Sequence, residues 1–209
     1  MKEFYTILKE ETAEIVEKKS KFIAEIYPVK DVDEADKIIK ETKKKYYDAK
    51  HHCIAYRIVK DDMIVEKSSD DGEPSGTAGA PMLNILQGNN LCNIIVIVTR
   101  YFGGILLGTG GLVKAYSDTT KKVIQKSELV FQKDGFEIEI ETGYSNLENF
   151  KYYCKNSNIN IIKIEYFENI VIKIEIEKSK KDAFFKDIDE KKIRNIEIIS
   201  IEQKIVNIY

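Results

Sequence analysis

Nine of the eleven glycines lie between Gly72 and Gly111, a stretch of forty residues. Glycine adopts positive φ angles and lets two backbones approach closely, so this stretch demands tight turns and close packing. Within it, Ile94–Thr99 is a continuous β-branched run, which is typical of a central strand buried on both faces. The glycines therefore predict loops around a buried strand, in a mixed α/β fold.

The segment Gly103 to Gly111 is predicted as a loop that leads from this strand into a helix over Leu112 to Lys126. Unpaired N–H groups and the helix dipole attract anions at a helix N-terminus. Neither nucleotide-binding motif is complete, because Thr109 replaces the Walker A lysine and Val113 replaces the third glycine of a dinucleotide loop. A tight structural turn, an anion or nucleic-acid site and a catalytic loop remain alternatives.

Charge limits how such a site can work. The chain has 33 Lys and Arg against 35 Asp and Glu, a net charge of -2, so a strongly basic nucleic-acid coat is excluded and any basic patch must be local. The predicted residues of an anion or nucleic-acid site are Arg57, Arg100, Gly103, Gly104, Gly108, Thr109, Gly110, Gly111 and Lys114.

A second glycine-containing segment mixes carboxylates and hydroxyls: Asp70, Asp71, Glu73, Ser75 and Thr77. The carboxylates could bind a divalent cation through oxygen ligands, although the spacing does not fit an EF-hand. The alternative is an acidic turn that caps the helix predicted over residues 78–87. The cation alternative is the basis for an enzyme hypothesis.

His51 and Tyr56 are further candidates, on or beside a strand predicted over Cys53–Val59. Adjacent strand residues point to opposite faces, so His51 and His52 do not serve one site together. His51 shares a face with Cys53, and such a pair could be nucleophilic. The alternative is a structural histidine.

Several site types and locations are not expected. The three cysteines are widely spaced without a CxxC motif, which argues against a disulfide framework or structural zinc. The N-terminus has no apolar signal core and no apolar run approaches the roughly 20 residues that span a bilayer. The sequence therefore predicts a cytoplasmic protein without a membrane segment, a metal site or a cofactor.

Two halves follow different patterns, with a hinge predicted at residues 133–135. The second half alternates Phe136, Ile138 and Ile140 with glutamates, as a half-exposed strand does. Its predicted order of β-α-β-β-α-β is the ferredoxin-like plan. The predicted domains span residues 1–132 and 136–209. Other predicted first-half elements are strands Lys21–Val29, Met63–Lys67 and Leu129–Gln132, a turn over residues 60–62, and helices beginning near Asp31 and over Ala78–Gln87.

Three blocks together carry a family resemblance: residues 51–57, residues 70–81, and residues 99–112. Their order and spacing resemble the YigZ/IMPACT family, in its bacterial two-domain type. The second half also resembles the small C-terminal domain of those bacterial members, so the resemblance covers nearly the whole chain.

The resemblance implies an α+β fold. Its first domain would be an α/β domain like domain 2 of ribosomal protein S5, and its second a ferredoxin-like βαββαβ domain resembling the last domain of elongation factor G. Eukaryotic relatives regulate translation. The implied function is a non-enzymatic, translation-associated regulator that contacts RNA, the ribosome, a phosphate-like anion or a translation-related protein through the glycine-rich loops. An enzyme that acts on a phosphorylated small molecule with a divalent metal, and a pure protein-interaction module, are the alternatives.

Overall fold

The structure is a computed structural model that describes residues 3–60 and 63–208. Residues 5–129 form one compact unit, and residues 3–4 with 130–208 form a second. The domain bounds of 1–132 and 136–209 stay a prediction. No helix within the described residues is both long enough and apolar enough to cross a bilayer.

The first unit is built on a five-stranded antiparallel sheet with strand order β2-β3-β6-β4-β5. Its strands are β2 (Glu11–Glu17), β3 (Ser20–Pro28), β4 (His51–Lys60), β5 (Met63–Ser69) and β6 (Ile94–Tyr101). Its helices are α1 (Val32–Lys45), α2 (Gly79–Gly88) and α3 (Gly108–Lys126). Residues 61 and 62 of the predicted β4–β5 turn lie outside the described residues.

Strand β6 is central and buried, as its β-branched sequence predicts. One face of the sheet packs against α2 and α3, and the other packs against α1. Alternation along β4 divides its side chains between these faces, with Cys53 toward α2 and α3 and Tyr56 toward α1. Asp31 caps α1 by accepting a hydrogen bond from the Glu34 backbone N–H at 2.8 Å.

In the first unit, one strand was missed and the predicted start of one helix is wrong. Strand β2 was not predicted. Helix α3 begins at Gly108 rather than at Leu112, so the last four residues of the predicted loop, 108–111, form the first turn of the helix. Gly108 has φ of +74° and turns the chain into the helix. A glycine-rich sequence therefore concealed a helical turn.

The second unit has the predicted β-α-β-β-α-β order. The sheet has the order β1-β7-β9-β8, and the last strand also pairs with β7. The short N-terminal strand β1 (Glu3–Ile7) crosses the boundary between residues 4 and 5 that divides the two units. The pairs β7–β9, β8–β9 and β7–β10 are antiparallel. The remaining elements are β7 (Leu129–Thr142), α4 (Leu147–Asn156), β8 (Asn160–Tyr166), β9 (Ile170–Glu177), α5 (Lys181–Asp189) and β10 (Ile196–Ile208).

The predicted hinge at residues 133–135 is wrong, because β7 is one continuous strand of 14 residues. Leu129–Gln132 is therefore the start of β7 in the second sheet, and not a final strand of the first. Gly135 is required there for close approach, since a Cβ atom would lie 2.4 Å from the Ile176 carbonyl oxygen.

Candidate functional site

A cavity of about 440 Å³ lies at the N-terminus of α3, within the first unit. Its apolar lining residues are Pro74, Phe102, Leu106, Leu107 and Leu112. Its polar lining comes from Lys50, His51, Glu73, Arg100, Gly108 and Thr109. The cavity therefore combines an apolar wall with a few charged groups, as small-ligand and peptide sites do.

Two strands and one turn position the charged groups. In the β4–β6 pairing, His51 lies directly opposite Arg100, at the end of β6 that leads into the glycine-rich loop. The turn after β5 brings Glu73 to the same end of the sheet, where it meets Arg100. Residues far apart in sequence thus converge because β4, β5 and β6 are neighbours.

Glu73 and Arg100 form a buried ion pair at the base of the cavity. Arg100 Nη1 donates to Glu73 Oε1 at 2.7 Å, and the side chains are only 7% and 3% exposed. The Tyr116 hydroxyl donates to the same oxygen at 2.8 Å. Burial above all, and the neighbouring Cys53 and Glu73, raise the pKa of Tyr116 far above its usual value, so the phenol remains a donor.

The Arg100 guanidinium also lies near two aromatic rings. It lies 5.3 Å from the ring centre of Phe22 and 5.6 Å from that of Phe102, distances at which a cation is attracted to an aromatic face. Arg100 Nη2 donates to Ser20 Oγ at 3.4 Å. Its Nε–H is buried without a hydrogen-bond partner among the described residues.

Asp70 holds together the turn that carries Glu73. Its carboxylate accepts hydrogen bonds from the backbone N–H groups of Gly76, Ala78 and Gly79 at 2.8 to 2.9 Å. Burial raises the pKa of Asp70, but these three donors outweigh it and hold the pKa below its usual value. Asp70 therefore fastens the turn to the start of α2, and its oxygens are occupied.

Asp71 is similarly engaged. Its carboxylate accepts from Lys43 Nζ at 2.7 Å and from the His52 backbone N–H at 2.8 Å. Burial raises the pKa of Asp71, but Lys43 and the His52 N–H lower it more. The Asp71 carbonyl lies 2.9 Å from His51 Nδ1. No group of three or more His, Cys, Asp or Glu suited to a metal ion occurs in the described parts of the chain.

The remaining residues of the acidic segment and the nearby thiol have structural contacts. Thr77 Oγ1 donates to the Pro74 carbonyl at 2.6 Å, whereas Ser75 is exposed. Burial raises the pKa of Cys53 to about 12, and its thiol donates to the Asp70 carbonyl. A thiol in this state is a poor nucleophile.

The glycines of the loop and helix start have different roles. A Cβ atom on Gly103 would lie 2.0 Å from the Lys19 carbonyl carbon, so this position requires close backbone packing. Gly104 has φ of +83°. A Cβ atom on Gly110 would meet nothing within 4 Å, and α3 begins without a side-chain cap. The first turn of α3 is thus open to an approaching group.

The structure brings five of the sequence-predicted residues around this cavity: His51, Glu73, Arg100, Gly108 and Thr109. The other predicted residues do not line it. Tyr56 is buried against the α1 layer. Lys114 pairs with Asp118 at 3.0 Å and lines a separate cavity of about 70 Å³ that Gly111 also borders.

Arg57 also lies outside the cavity. It lies opposite Ile94, at the far end of β4 from His51. Its Nε donates to Glu66 Oε1 at 2.7 Å, and its Nη1 donates to the carbonyls of Leu86 and Leu91. These contacts fasten the end of α2 to the sheet.

Sequence reasoning missed the apolar wall. Leu106 and Leu107 lie in the predicted glycine loop and Phe102 directly precedes it. The glycines drew the interpretation of this segment toward anion binding. Leu106 is 82% exposed and Phe102 is 55% exposed. Large apolar residues between loop glycines were the available signal.

Comparison with known proteins bears on this site. Residues 18–124, which contain every residue of the cavity, match the Impact N-terminal domain. Residues 140–191 match a domain of unknown function, DUF1949. The IMPACT family member YvyE of Bacillus subtilis is 36% identical over 87% of this chain and 83% of its own length. The chain belongs to the IMPACT family.

Other relatives agree. YigZ of Escherichia coli, also an IMPACT family member, is 31% identical over 89% of this chain and 92% of its own length. Rat Protein IMPACT is 37% identical over 46% of this chain and 31% of its own length. A crystal structure described as a hypothetical protein has a TM-score of 0.63 at 30% identity, with 97% of this chain and 98% of that chain covered.

Proposed function

We propose that this IMPACT family protein is a translation-related regulator that binds a protein partner at the α3 cavity. Family membership supports the connection with translation, because eukaryotic relatives in this family regulate translation. One observation supports the binding mode: apolar side chains remain exposed around a structured cavity. Phe102, Ile105 and Leu106 are 55%, 42% and 82% exposed, and a group of neighbouring exposed apolar side chains is typical of an interaction site.

Charge favours a protein partner over RNA. The chain carries a net charge of -2, and Glu73 already neutralises Arg100 in the cavity. RNA binding depends on several uncompensated cations along the phosphate backbone. Phosphate or RNA contact at Arg100, Gly108 and Thr109 is therefore an outcome of the test and not the favoured mode.

No specific observation favours catalysis. The carboxylates of Asp70 and Asp71, which the enzyme hypothesis requires as metal ligands, accept hydrogen bonds from backbone and lysine donors instead. Binding is accordingly the function that this geometry supports best.

We further propose the finer fold assignments. The second unit is ferredoxin-like and resembles the last domain of elongation factor G, which its β-α-β-β-α-β order and antiparallel β10-β7-β9-β8 arrangement support. The first unit is like domain 2 of ribosomal protein S5, which its family membership supports. Superposition of an experimental structure on those domains tests both assignments.

The functional test is recovery of partners on tagged full-length protein from a native lysate, with and without nuclease. The wild-type chain is expected to retain a translation-related protein or ribosomes after nuclease treatment. Leu106→Asp should lower recovery at least about tenfold, since burial of a leucine contributes about 1.5–3 kcal/mol. Leu8→Asp is the matched control, because Leu8 is also exposed, at 51%, but does not line the cavity.

Two results would contradict the proposal. Recovery that disappears with nuclease would indicate RNA as the bound component. Equal recovery on wild-type protein and Leu106→Asp would show that the cavity does not dock the partner.

A further inference from the structure

We propose that the α3 cavity captures the C-terminal end of a partner polypeptide. The terminal carboxylate would lie at the first turn of α3, near Arg100, and an apolar last side chain would pack against Phe102 and Leu107. This inference rests on the proposed function, because it specifies which part of a protein partner the site recognises.

The charges around the cavity match a single negative charge. Arg100 is balanced by Glu73, whereas Lys50, the lysine of the lining, pairs with no carboxylate in the part of the chain that the structure describes. Helix α3 is 19 residues long and starts without a side-chain cap, so its N-terminus adds about half a positive charge and free N–H donors. A carboxylate fits this balance, whereas a polyphosphate needs several cations.

Arg100 is a second, independent observation at the same end of the sheet. It is a cavity-lining residue only 6% exposed, and its Nε–H is buried without a partner among the described residues. Buried donors are nearly always hydrogen-bonded in folded proteins. The rings of Phe22 and Phe102 hold the guanidinium in place, so it is ordered before a ligand arrives.

The apolar surface indicates a ligand that extends beyond the cavity. A volume of about 440 Å³ suits a small ligand or the last residues of a peptide. Ile105 and Leu106 are 42% and 82% exposed beside it, so apolar contacts continue past the opening. Capture of a terminal carboxylate by backbone N–H groups is an established mode of peptide recognition, and the continuing surface favours it over a free small acid.

The first test compares two forms of one peptide. A fluorescein-labelled octapeptide of glycine and serine ending in Phe-Leu is prepared with a free C-terminal carboxylate or with a C-terminal amide. Anisotropy titrations on the full chain should show at least tenfold tighter binding of the acid form. The backbone amide signals of Gly108, Thr109 and Gly110 should shift with the acid form in NMR spectra.

The second test supplies the carboxylate from the protein itself. Thr109→Asp places a negative charge in the first turn of α3, where acidic side chains stabilise a helix, so the variant should fold. The variant should bind the acid peptide at least tenfold more weakly than the wild type does, and it should bind the amide peptide with unchanged affinity. Lys121→Gln makes the same change in net charge on the exposed side of α3, about 18 Å further along the helix, and should bind both peptides as the wild type does.

Three results would overturn the inference. Equal affinity for the acid and amide peptides would show that the terminal carboxylate is not recognised. Displacement of the peptide by inorganic phosphate or octanoate, added at the same concentration as the peptide, would indicate a small-anion site. Absence of binding by either peptide would also overturn it. The Leu106→Asp recovery experiment judges the proposed function separately, since loss of the partner there would stand even if peptide capture failed.

Discussion

Arg57 and Arg100 lie on the same face of one sheet and are both buried, yet their surroundings differ. Arg57 donates to Glu66 and to the carbonyls of Leu86 and Leu91. Arg100 pairs with Glu73, has a buried Nε–H without a described partner, and borders a cavity. The register of β4 against β6 puts them about 20 Å apart.

This difference indicates a structural role for Arg57 and a binding role for Arg100. Carbonyl acceptors at the end of a helix commit Arg57 to holding α2 in place. Arg100 contacts two aromatic rings, the Glu73 carboxylate and the Ser20 hydroxyl, and it borders an opening. Burial alone therefore does not distinguish the two roles, whereas the identity of the acceptors does.

The largest expected effect comes from removing each arginine's carboxylate partner. Glu73→Ala should lower the free energy of unfolding by about 3–5 kcal/mol, because Arg100 is left as an uncompensated buried charge. Glu66→Ala should lower it by only about 1 kcal/mol, since the Glu66 side chain is 31% exposed and Arg57 keeps its carbonyl acceptors. Urea denaturation measures both values. Equal losses would show that the two arginines are held alike.

A smaller effect is expected from the packing that supports the Arg100 end. Gly103→Ala should cost about 1–3 kcal/mol, because the new Cβ atom would overlap the backbone of Lys19 and Ser20. The shift should move Ser20 Oγ away from Arg100. Gly88→Ala is the control, since a Cβ atom there meets nothing within 4 Å. A neutral Gly103→Ala variant would show that the Arg100 end tolerates movement.

The turn that delivers Glu73 should be sensitive to pH. Asp70→Asn should lower the free energy of unfolding by about 1–2 kcal/mol at pH 7, because a charged acceptor of three N–H groups is lost. The folded-state pKa of Asp70 lies below its ordinary 3.8. The stabilisation is therefore complete above about pH 5 and is lost as the pH falls through the folded-state pKa.

Urea denaturation between pH 7 and pH 3 measures this difference between wild type and Asp70→Asn. The difference in free energy of unfolding between the two proteins should become smaller only at the acid end of the range. Asp33→Asn, at an exposed position in the first turn of α1, should change stability by less than about 0.5 kcal/mol. A gap that stays constant down to pH 3 would contradict the role given to the Asp70 carboxylate.

The smallest effect is expected at the open side of the cavity region. Gly110→Ala should raise the free energy of unfolding by about 0.5–1 kcal/mol, because alanine favours the helix and its Cβ atom meets nothing within 4 Å. Thermal and urea denaturation measure it. Destabilisation would mean that the first turn of α3 is packed and not open.

Local patterns predicted much of the fold. The β-branched run predicted β6, helical spacing predicted α1 and most of α3, and the second half has its predicted element order. The hinge at residues 133–135 failed because Gly135 serves close packing against β9, not a turn. Sequence alone does not distinguish these uses of glycine, since the contacting atoms come from Ile176 and Val206.

The candidate site was only partly predictable for the same reason. The sequence indicates that the Arg100 loop and the acidic segment matter, but their meeting depends on strand pairing. The sequence prediction assigned Arg57 and Arg100 to one site, because the register of β4 against β6 cannot be determined from the sequence. The apolar residues Phe102 and Leu106 were hidden by the glycines around them.

The Asp70 turn has a kinetic consequence. One carboxylate accepts the N–H groups of Gly76, Ala78 and Gly79 together, so these amides lose their shared acceptor in a single event. Their hydrogen-exchange rates are therefore tied to one opening motion and not to three independent ones. Since Glu73 lies inside this turn, the lifetime of its pairing with Arg100 is linked to a carboxylate three residues earlier in the chain.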